Sequence, residues 1–497
     1  MKPARLRSSF TSSIFSRMFT AGLQFICATK FIHFLGNEAY GIVGIFLTLT
    51  LVSNVLDFGF SQSINREIAR RVNDPVLREE IPSVLKSFET VYWLICAAVT
   101  LVLVAAAPFF VASLHAQVMT HHQLVVAMVL VGIAIGSQFS FTFYQGALTG
   151  FERQVEANTI IAIFSVPRIL GTLLLVAYFS SSIYVYLGCQ IAIGLVQSLT
   201  YACFTWRACG THRSKGKFDA AHFVRIRGFL TGAGLASLLA SLLMPADKIV
   251  VPAALPLALF GIYALGTSPV MAVNMISAAV SSTFFPRFSR LVAAEDEASV
   301  AKLYHSSSLI TSVAMGAVTL TLIFFAHPFL LAWTGNPDTA AKMTRPLQLM
   351  TAALLFNGLT TLPYMVELAY GWTSLAVSLA AGALVILPPA MYFMTVRYGL
   401  IGAPMVWLAG NVSIFGLQGI LMFRRILRGH QLRWLLRDTM APIAAMALVA
   451  WGLKWMMPES VSRWVTGSEL LAAIVSLSGF GMVIWAASEK KLRFNRK

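Results

Sequence analysis

The sequence predicts an all-α polytopic membrane protein of about 14 transmembrane helices, arranged as two parallel-repeat six-helix lobes and a C-terminal helix pair. Three observations predict it: a composition poor in charge, a succession of apolar segments of crossing length, and an internal repeat. Over 497 residues, hydrophobic side chains make up 57% and Asp, Glu, Lys and Arg together only 11%. A soluble globular domain carries roughly 25% charged residues. A chain this long with so little charge cannot cover its own surface in water. Soluble enzymes, disordered chains and secreted disulfide scaffolds are thereby excluded.

A helix needs about 20 mostly apolar residues to cross the hydrocarbon core. Segments that meet this requirement run at residues 12–34, 40–61, 88–112, 123–147, 157–179, 184–206, 228–251, 257–283, 306–333, 346–369, 374–396, 402–424, 439–457 and 469–488. The opening MKPARLRSSF leads into a span that itself holds Arg17 and Lys30, with no compact apolar region and no small-residue cleavage site. The first span therefore reads as retained. Joins such as Gly36 to Ala39, Ser180 to Ile183 and Pro252 to Pro256 leave no room for soluble domains. Cys27, Cys96, Cys189 and Cys203 lie in apolar spans and Cys209 just past one, with no CxxC pair, so neither a disulfide framework nor a zinc site is expected. His115, His121 and His122 cluster in a short outer loop and read as solvated.

The net charge of +17 would suggest nucleic acid in a soluble protein. Here the cations follow the positive-inside pattern instead. With a cytoplasmic N-terminus, 28 Lys and Arg fall in the termini and inner loops against four in the outer loops, Lys342, Arg345, Arg397 and Arg463. Both termini are then cytoplasmic and the number of spans is even.

The repeat runs at an offset of 219–221 residues. Gly41-Ile42 recurs as Gly261-Ile262, Arg70 as Arg290, Ala98-Val99-Thr100-Leu101 as Ala317-Val318-Thr319-Leu320, and Pro108-Phe109 as Pro328-Phe329. Gly150 matches Gly371, Pro167 matches Pro388, and Gln197 matches Gln418. The expected domains are 1–210 and 211–430, each of six helices, followed by a helix pair and basic tail at 431–497. Six crossings return the chain to the same side, so the lobes are parallel repeats. Transporters built this way place substrate between repeats near the midplane and expose it alternately.

Five cations remain inside spans: Arg17, Lys30, Arg168, Lys248 and Lys454. An ionised side chain at mid-bilayer costs roughly 2.5–3.5 kcal/mol on insertion scales, so each requires a reason. Arg168 lies near the middle of its span, beyond easy reach of either interface, and Pro167 beside it interrupts regular helical hydrogen bonding. Arg168 is the first candidate for an anion-binding cation; a buried pair or a lipid-headgroup contact is the structural alternative. Arg17 and Asp57 sit at similar depth near the cytoplasmic side and can pair. Asn54, Asp57 and Ser61 form one polar stripe on the second span. Lys30 and Asp247 sit near the outer ends of repeat-related spans and are expected to pair across the lobes. Glu367 and Lys454, near helix ends, are expected to snorkel. Gln24, Gln138, Gln145, Gln190, Asn274, Asn357 and Asn411 line a cavity or join helices.

Several short motifs accompany these features. Leu35-Gly36-Asn37-Glu38-Ala39-Tyr40-Gly41 follows the first span, and Leu56-Asp57-Phe58-Gly59-Phe60-Ser61 with Asn65-Arg66 ends the second. Asp247-Lys248-Ile249-Val250, Phe260-Gly261-Ile262-Tyr263 and Phe285-Pro286-Arg287-Phe288-Ser289 mark the seventh and eighth. Across twelve spans the chain resembles the polysaccharide-biosynthesis, or lipid-linked oligosaccharide (O-antigen type), flippase family. That family sits in the MOP superfamily with MATE drug exporters and lipid II flippases. The resemblance implies two six-helix bundles around a central cavity in the bacterial inner membrane, and flipping of an undecaprenyl-diphosphate-linked glycan from the cytoplasmic to the outer leaflet. It implies cavity cations suited to a diphosphate, for which Arg168, Arg17, Lys30 and Lys248 are this chain's candidates. Asp57 and Asp247 are candidates for coupling or gating, with H+ or Na+ as the coupling ion and no other cofactor. The implied partners are the lipid-linked glycan, the bilayer and other polysaccharide-assembly proteins; nucleic acid is not among them. The first span lacks the acidic residue of cation-coupled drug exporters. No GxxxxGK[ST] pattern is present, which argues against direct ATP use. The rival readings are an exporter of another amphipathic anion, a membrane-bound polymerase or ligase, and a scaffold. The short outer loops hold no nucleophile, metal or paired-carboxylate arrangement, so the chain reads as a transporter rather than an enzyme.

Overall fold

The computed structural model describes residues 3–55, 57, 60–72, 74–210, 218–219, 243–456, 476 and 479. Most of the seventh span and the fourteenth lie outside the described residues. Within them the chain is all-helical, as composition requires: in hydrocarbon a backbone must satisfy its own hydrogen bonds. Nine continuous helical segments among the described residues are long and apolar enough to cross a membrane. The longest, Ser374–Arg425, has 52 residues. At 1.5 Å per residue it would be about 78 Å long, more than twice the hydrocarbon thickness. It reverses at the 3-10 turn Gly399–Ile401, where Gly399 adopts φ 64°.

The chain divides into two compact units, Met1–Gly261 and Ile262–Lys497. Unit 1 contains α1 (Pro3–Leu35), α2 (Asn37–Val55), α3 (Phe60–Arg71), α4 (Pro75–Arg78), α5 (Ile81–Val111), α6 (His121–Gly150), α7 (Gln154–Val166), α8 (Thr172–Tyr178), α9 (Ile183–Cys209) and α10 (Ala246–Ala254). Helix α11 (Leu257–Gly266) crosses the division. Unit 2 contains α12 (Val270–Ala293), α13 (Glu297–Phe324), α14 (Ala326–Thr334), α15 (Pro337–Ala369), α16 (Ser374–Tyr398), α17 (Gly402–Arg425) and α18 (Ala441–Met456).

Helix ends follow local chemistry. Thr120 caps α6 with Gln123 in a reciprocal capping box. Ser182 caps α9, and Gly210 ends it in the left-handed region at φ 74°. The second predicted span differs from expectation. It is not one helix: α2 stops at Val55 and α3 begins at Phe60, so the Asn54–Asp57–Ser61 stripe straddles a break. The reason is visible in Asp57. Its carboxylate accepts from the Ser61 backbone N–H at 3.1 Å and hydroxyl at 2.7 Å, holding the first turn of α3 instead of letting α2 run on. The eighth span likewise breaks between Gly266 and Val270, where Pro269 disfavours a helical conformation in Ser268.

Helix α6 is the axis of unit 1, packed by α3, α5 and α9. Gly146 and Gly150, four apart on α6, let α3 lie directly on its backbone: a Cβ at Gly150 would sit 2.7 Å from the Asn65 carbonyl, and one at Gly146 closer still to that of Ser61. Small residues at this spacing permit close approach in lipid, where no hydrophobic drive brings helices together. In unit 2, α15 packs against α12, α13 and α17, and α18 lies on α13 through Ala317, Leu320 and Met446.

Candidate functional site

Pro167 has no N–H to give, and the chain accommodates it in a π-helical turn, Pro167–Gly171, between α7 and α8. Such bulges appear frequently at functional sites. This one displays Arg168. The guanidinium donates to Oε1 of Gln138 on α6 at 2.7 Å and to Oε1 of Gln197 on α9 at 2.5 Å. Among the described residues no carboxylate forms an ion pair with it. The alternative of a buried ion pair is therefore not what holds this charge. Two neutral amides fix its position and leave its full charge uncompensated. An arginine offers five N–H donors, so three remain. Nε2 of Gln138 is buried without a partner, adding a fourth donor beside the guanidinium.

The surroundings are polar and close-packed. Ser140 donates to Ser198 at 2.8 Å and Ser198 to the Ser137 carbonyl at 2.8 Å. Gly194 lets α9 reach this layer, since a Cβ there would lie 3.0 Å from Cγ of Gln138. Tyr201 donates to the Ala157 carbonyl at 2.7 Å and stacks on Phe141.

A second polar centre lies on the same axis. Tyr92 donates to Asp57 at 2.8 Å and stacks between Phe139 and Phe143. Asp57 is thus buried and occupied by Ser61 and Tyr92. Arg17 stands on α1, but its side chain lies outside the described residues. Lys30 is exposed on α1, and Lys248 is half-buried on α10. Asp247, in the first turn of α10, is buried and engaged. Among the described residues the Lys30–Asp247 pair expected from sequence is not one of the ion pairs seen.

Several functional-looking groups escaped the sequence reading. Glu38 is buried and accepts from three consecutive backbone N–H groups, Gln117 at 2.5 Å, Val118 at 2.9 Å and Met119 at 2.8 Å. It pins the loop between α5 and α6 to the start of α2, which explains the acid in the Gly36–Gly41 motif. Glu89 accepts from Tyr144 at 2.6 Å and Trp206 at 3.2 Å. Glu367 does not snorkel: it is 0% exposed and takes a hydrogen bond from Gln418 at 3.2 Å. Asn357 donates to Asn411 at 3.0 Å and so joins α15 to α17. A pairing of repeats emerges here. Gln197 and Gln418 are repeat partners; one holds the arginine of its unit and the other a glutamate.

A family model for polysaccharide biosynthesis proteins matches residues 6–292. The chain belongs to this family. Its relatives agree. A Shigella flexneri protein named as a candidate O-antigen transporter is 22% identical over 376 residues, covering 75% of this chain and 87% of its own. Among solved structures, the lipid II flippase MurJ in an inward closed conformation superposes with a TM-score of 0.70 at 13% identity, over 97% of this chain and 99% of its own. An inward-facing MATE-family multidrug transporter of the MOP superfamily gives 0.68 at 14% identity, over 82% and 94%. At such identities the structures establish a shared fold.

Proposed function

We propose that the protein flips an undecaprenyl-diphosphate-linked oligosaccharide, a polysaccharide or O-antigen repeat unit, from the cytoplasmic to the outer leaflet of the inner membrane. The observation that carries this reading is the charge of Arg168, held by neutral amides in a family member that acts in polysaccharide assembly. A diphosphate does not enter hydrocarbon unaided. Charge-assisted hydrogen bonds from three spare guanidinium donors and the Gln138 amide would replace its hydration. The sugars would stay in an aqueous cavity and the polyprenyl tail in lipid.

Arg17, Lys30 and Lys248 are proposed as further stations for the diphosphate, and Asp57 and Asp247 as coupling or gating groups for H+ or Na+. The lobes 1–210 and 211–430 would alternate, with 431–497 as an accessory pair. The test is native mass spectrometry with polyprenyl-diphosphate glycan, followed by flipping in liposomes. Wild type is expected to hold a tight adduct that Arg168→Ala loses. An adduct indifferent to that change removes Arg168 as the site. No adduct in either protein moves the assignment to another amphipathic anion. Glycan extension or transfer in the same preparation would select the polymerase or ligase reading.

A further inference from the structure

A second cationic site lies in unit 2, far along the chain from Arg168. Cytoplasmic loops, by the positive-inside count, include the segment between α17 and α18. There a cavity of about 870 Å³ is lined by Lys302 of α13 and by Arg425, Arg428, His430 and Arg433, with Glu297 at its edge. Lys302 and the three arginines are exposed, and among the described residues none of the four forms an ion pair with a carboxylate. Arg425 instead stacks on Trp372, 4.5 Å from the ring centroid, and Arg428 donates to the Arg424 carbonyl at 3.1 Å.

The floor of the cavity is a hydrogen-bonded relay. Asp438, buried at the start of the thirteenth span, bonds Nδ1 of His305, and Nε2 of His305 lies 2.8 Å from Nδ1 of His430. His305 is 5% exposed, wedged beside Tyr304. The carboxylate favours one tautomer of the pair. With Nδ1–H of His305 given to Asp438, Nε2 is an acceptor, and the Nδ1–H of His430 fills it. The atom left to the cavity is Nε2 of His430. Neutral, it can only accept. Protonated, it becomes one more donor, and no other member of the relay has to rearrange.

We propose that this cavity is a binding site for a phosphate-bearing anion, and that binding takes up one proton on His430. The site is built from unit 2 alone and does not rest on the role of Arg168. Its charge count and volume suit a phosphomonoester or diphosphate better than a carboxylate, because four cations converge on one opening. Such a group can come from an anionic lipid headgroup or from a soluble phosphate. The groups facing His430 are His305 and Asp438 in the relay, Arg433 and Arg428 on its own loop, and Lys302 and Glu297 from α13. Glu297 is the one that opposes an anion.

The test uses the full chain in nanodiscs. Calorimetry with pyrophosphate reads binding, and sulfate, which does not titrate between pH 6 and 8, reads its proton dependence. Wild type is expected to bind pyrophosphate, and its sulfate affinity should fall about tenfold from pH 6 to 8. His430→Gln should lose that dependence, and Lys302→Glu/Arg428→Glu should lose binding; both sites of that double change are exposed, so folding is retained. Arg168→Ala should bind as wild type does. Phosphatidylglycerol retained in native mass spectra and displaced by pyrophosphate identifies a lipid source; pyrophosphate binding without retained lipid identifies a soluble one. Absence of both, or binding unchanged by the double charge reversal, overturns the proposal.

Discussion

At the residue scale, the geometry separates what Arg168 does for the fold from what it does for an anion. Replacing Gln197 by Glu keeps the side chain's size and its oxygen near the guanidinium, but cancels the charge. Were Arg168 only a structural anchor, a carboxylate partner should improve the contact. We expect Gln197→Glu to leave thermal stability unchanged or raised while lowering diphosphate-glycan binding at least tenfold, about 1.4 kcal/mol. Parallel loss of both would show that the amide layer itself is at fault. His430 carries a second prediction. Burial first, then His305 and Arg433, hold it below the ordinary histidine value of 6.5. A depressed base is neutral in the fold and charged more readily when unfolded. The stability it contributes is therefore present above about pH 6.5 and lost as pH falls through its folded value. The melting temperature should drop on acidification from pH 7.5 to 5.5, and His430→Gln should flatten that drop; an unchanged slope refutes the assignment. Single in-span charges such as Arg168 were legible in the sequence because they are costly and rare. The histidine relay was not, because Asp438 lies 133 positions from His305 and only tertiary packing joins them.

At the scale of elements, hydrophobic length is a strong signal and matched some boundaries within a few residues, 123–147 against His121–Gly150 and 184–206 against Ile183–Cys209. It set others well inside the helix, 88 against Ile81 and 346 against Pro337, where polar turns extend it beyond the apolar stretch. Breaks were harder. Asp57 and Ser61 looked like a polar stripe on a continuous helix, since a capping pair and a stripe share the same spacing. The Gly41–Gly261 match was legible as a repeat but not as a contact. In the structure the two glycines face each other within unit 1, where a Cβ on Gly41 would lie 2.6 Å from the Leu257 carbonyl and one on Gly261 would strike that of Asn37. Backbone cannot yield as a flexible side chain does. Gly41→Ala and Gly261→Ala should each destabilise by about 1–3 kcal/mol through overpacking, read as lowered melting temperature in detergent. Gly188→Ala, with nothing within 4 Å of its Cβ, is the control and should be silent. Equal behaviour of the three would mean the α2–α11 approach is not tight in solution.

For the whole molecule, one quantity orients everything: the distribution of 28 cations against four. By the positive-inside rule it predicts that the loop pinned by Glu38 lies on the outer side and the His430 cavity on the cytoplasmic side, the orientation that the proposed flipping requires. Labelling decides it. The five native cysteines are replaced and single cysteines introduced at two exposed apolar positions, Val118 at 84% and Leu432 at 68% exposure. Neither side chain is part of a polar network, so neither change should disturb the fold. An impermeant maleimide added to the intact inner membrane from its outer side should modify Val118→Cys and spare Leu432→Cys until the membrane is opened. Each lysine or arginine near an anionic inner surface contributes about 1 kcal/mol, so a bias of this size predicts a single orientation. Labelling at Leu432→Cys alone would invert the chain. The phosphate-binding cavity would then face outward, and flipping toward the outer leaflet would lose the cytoplasmic entrance that its substrate requires.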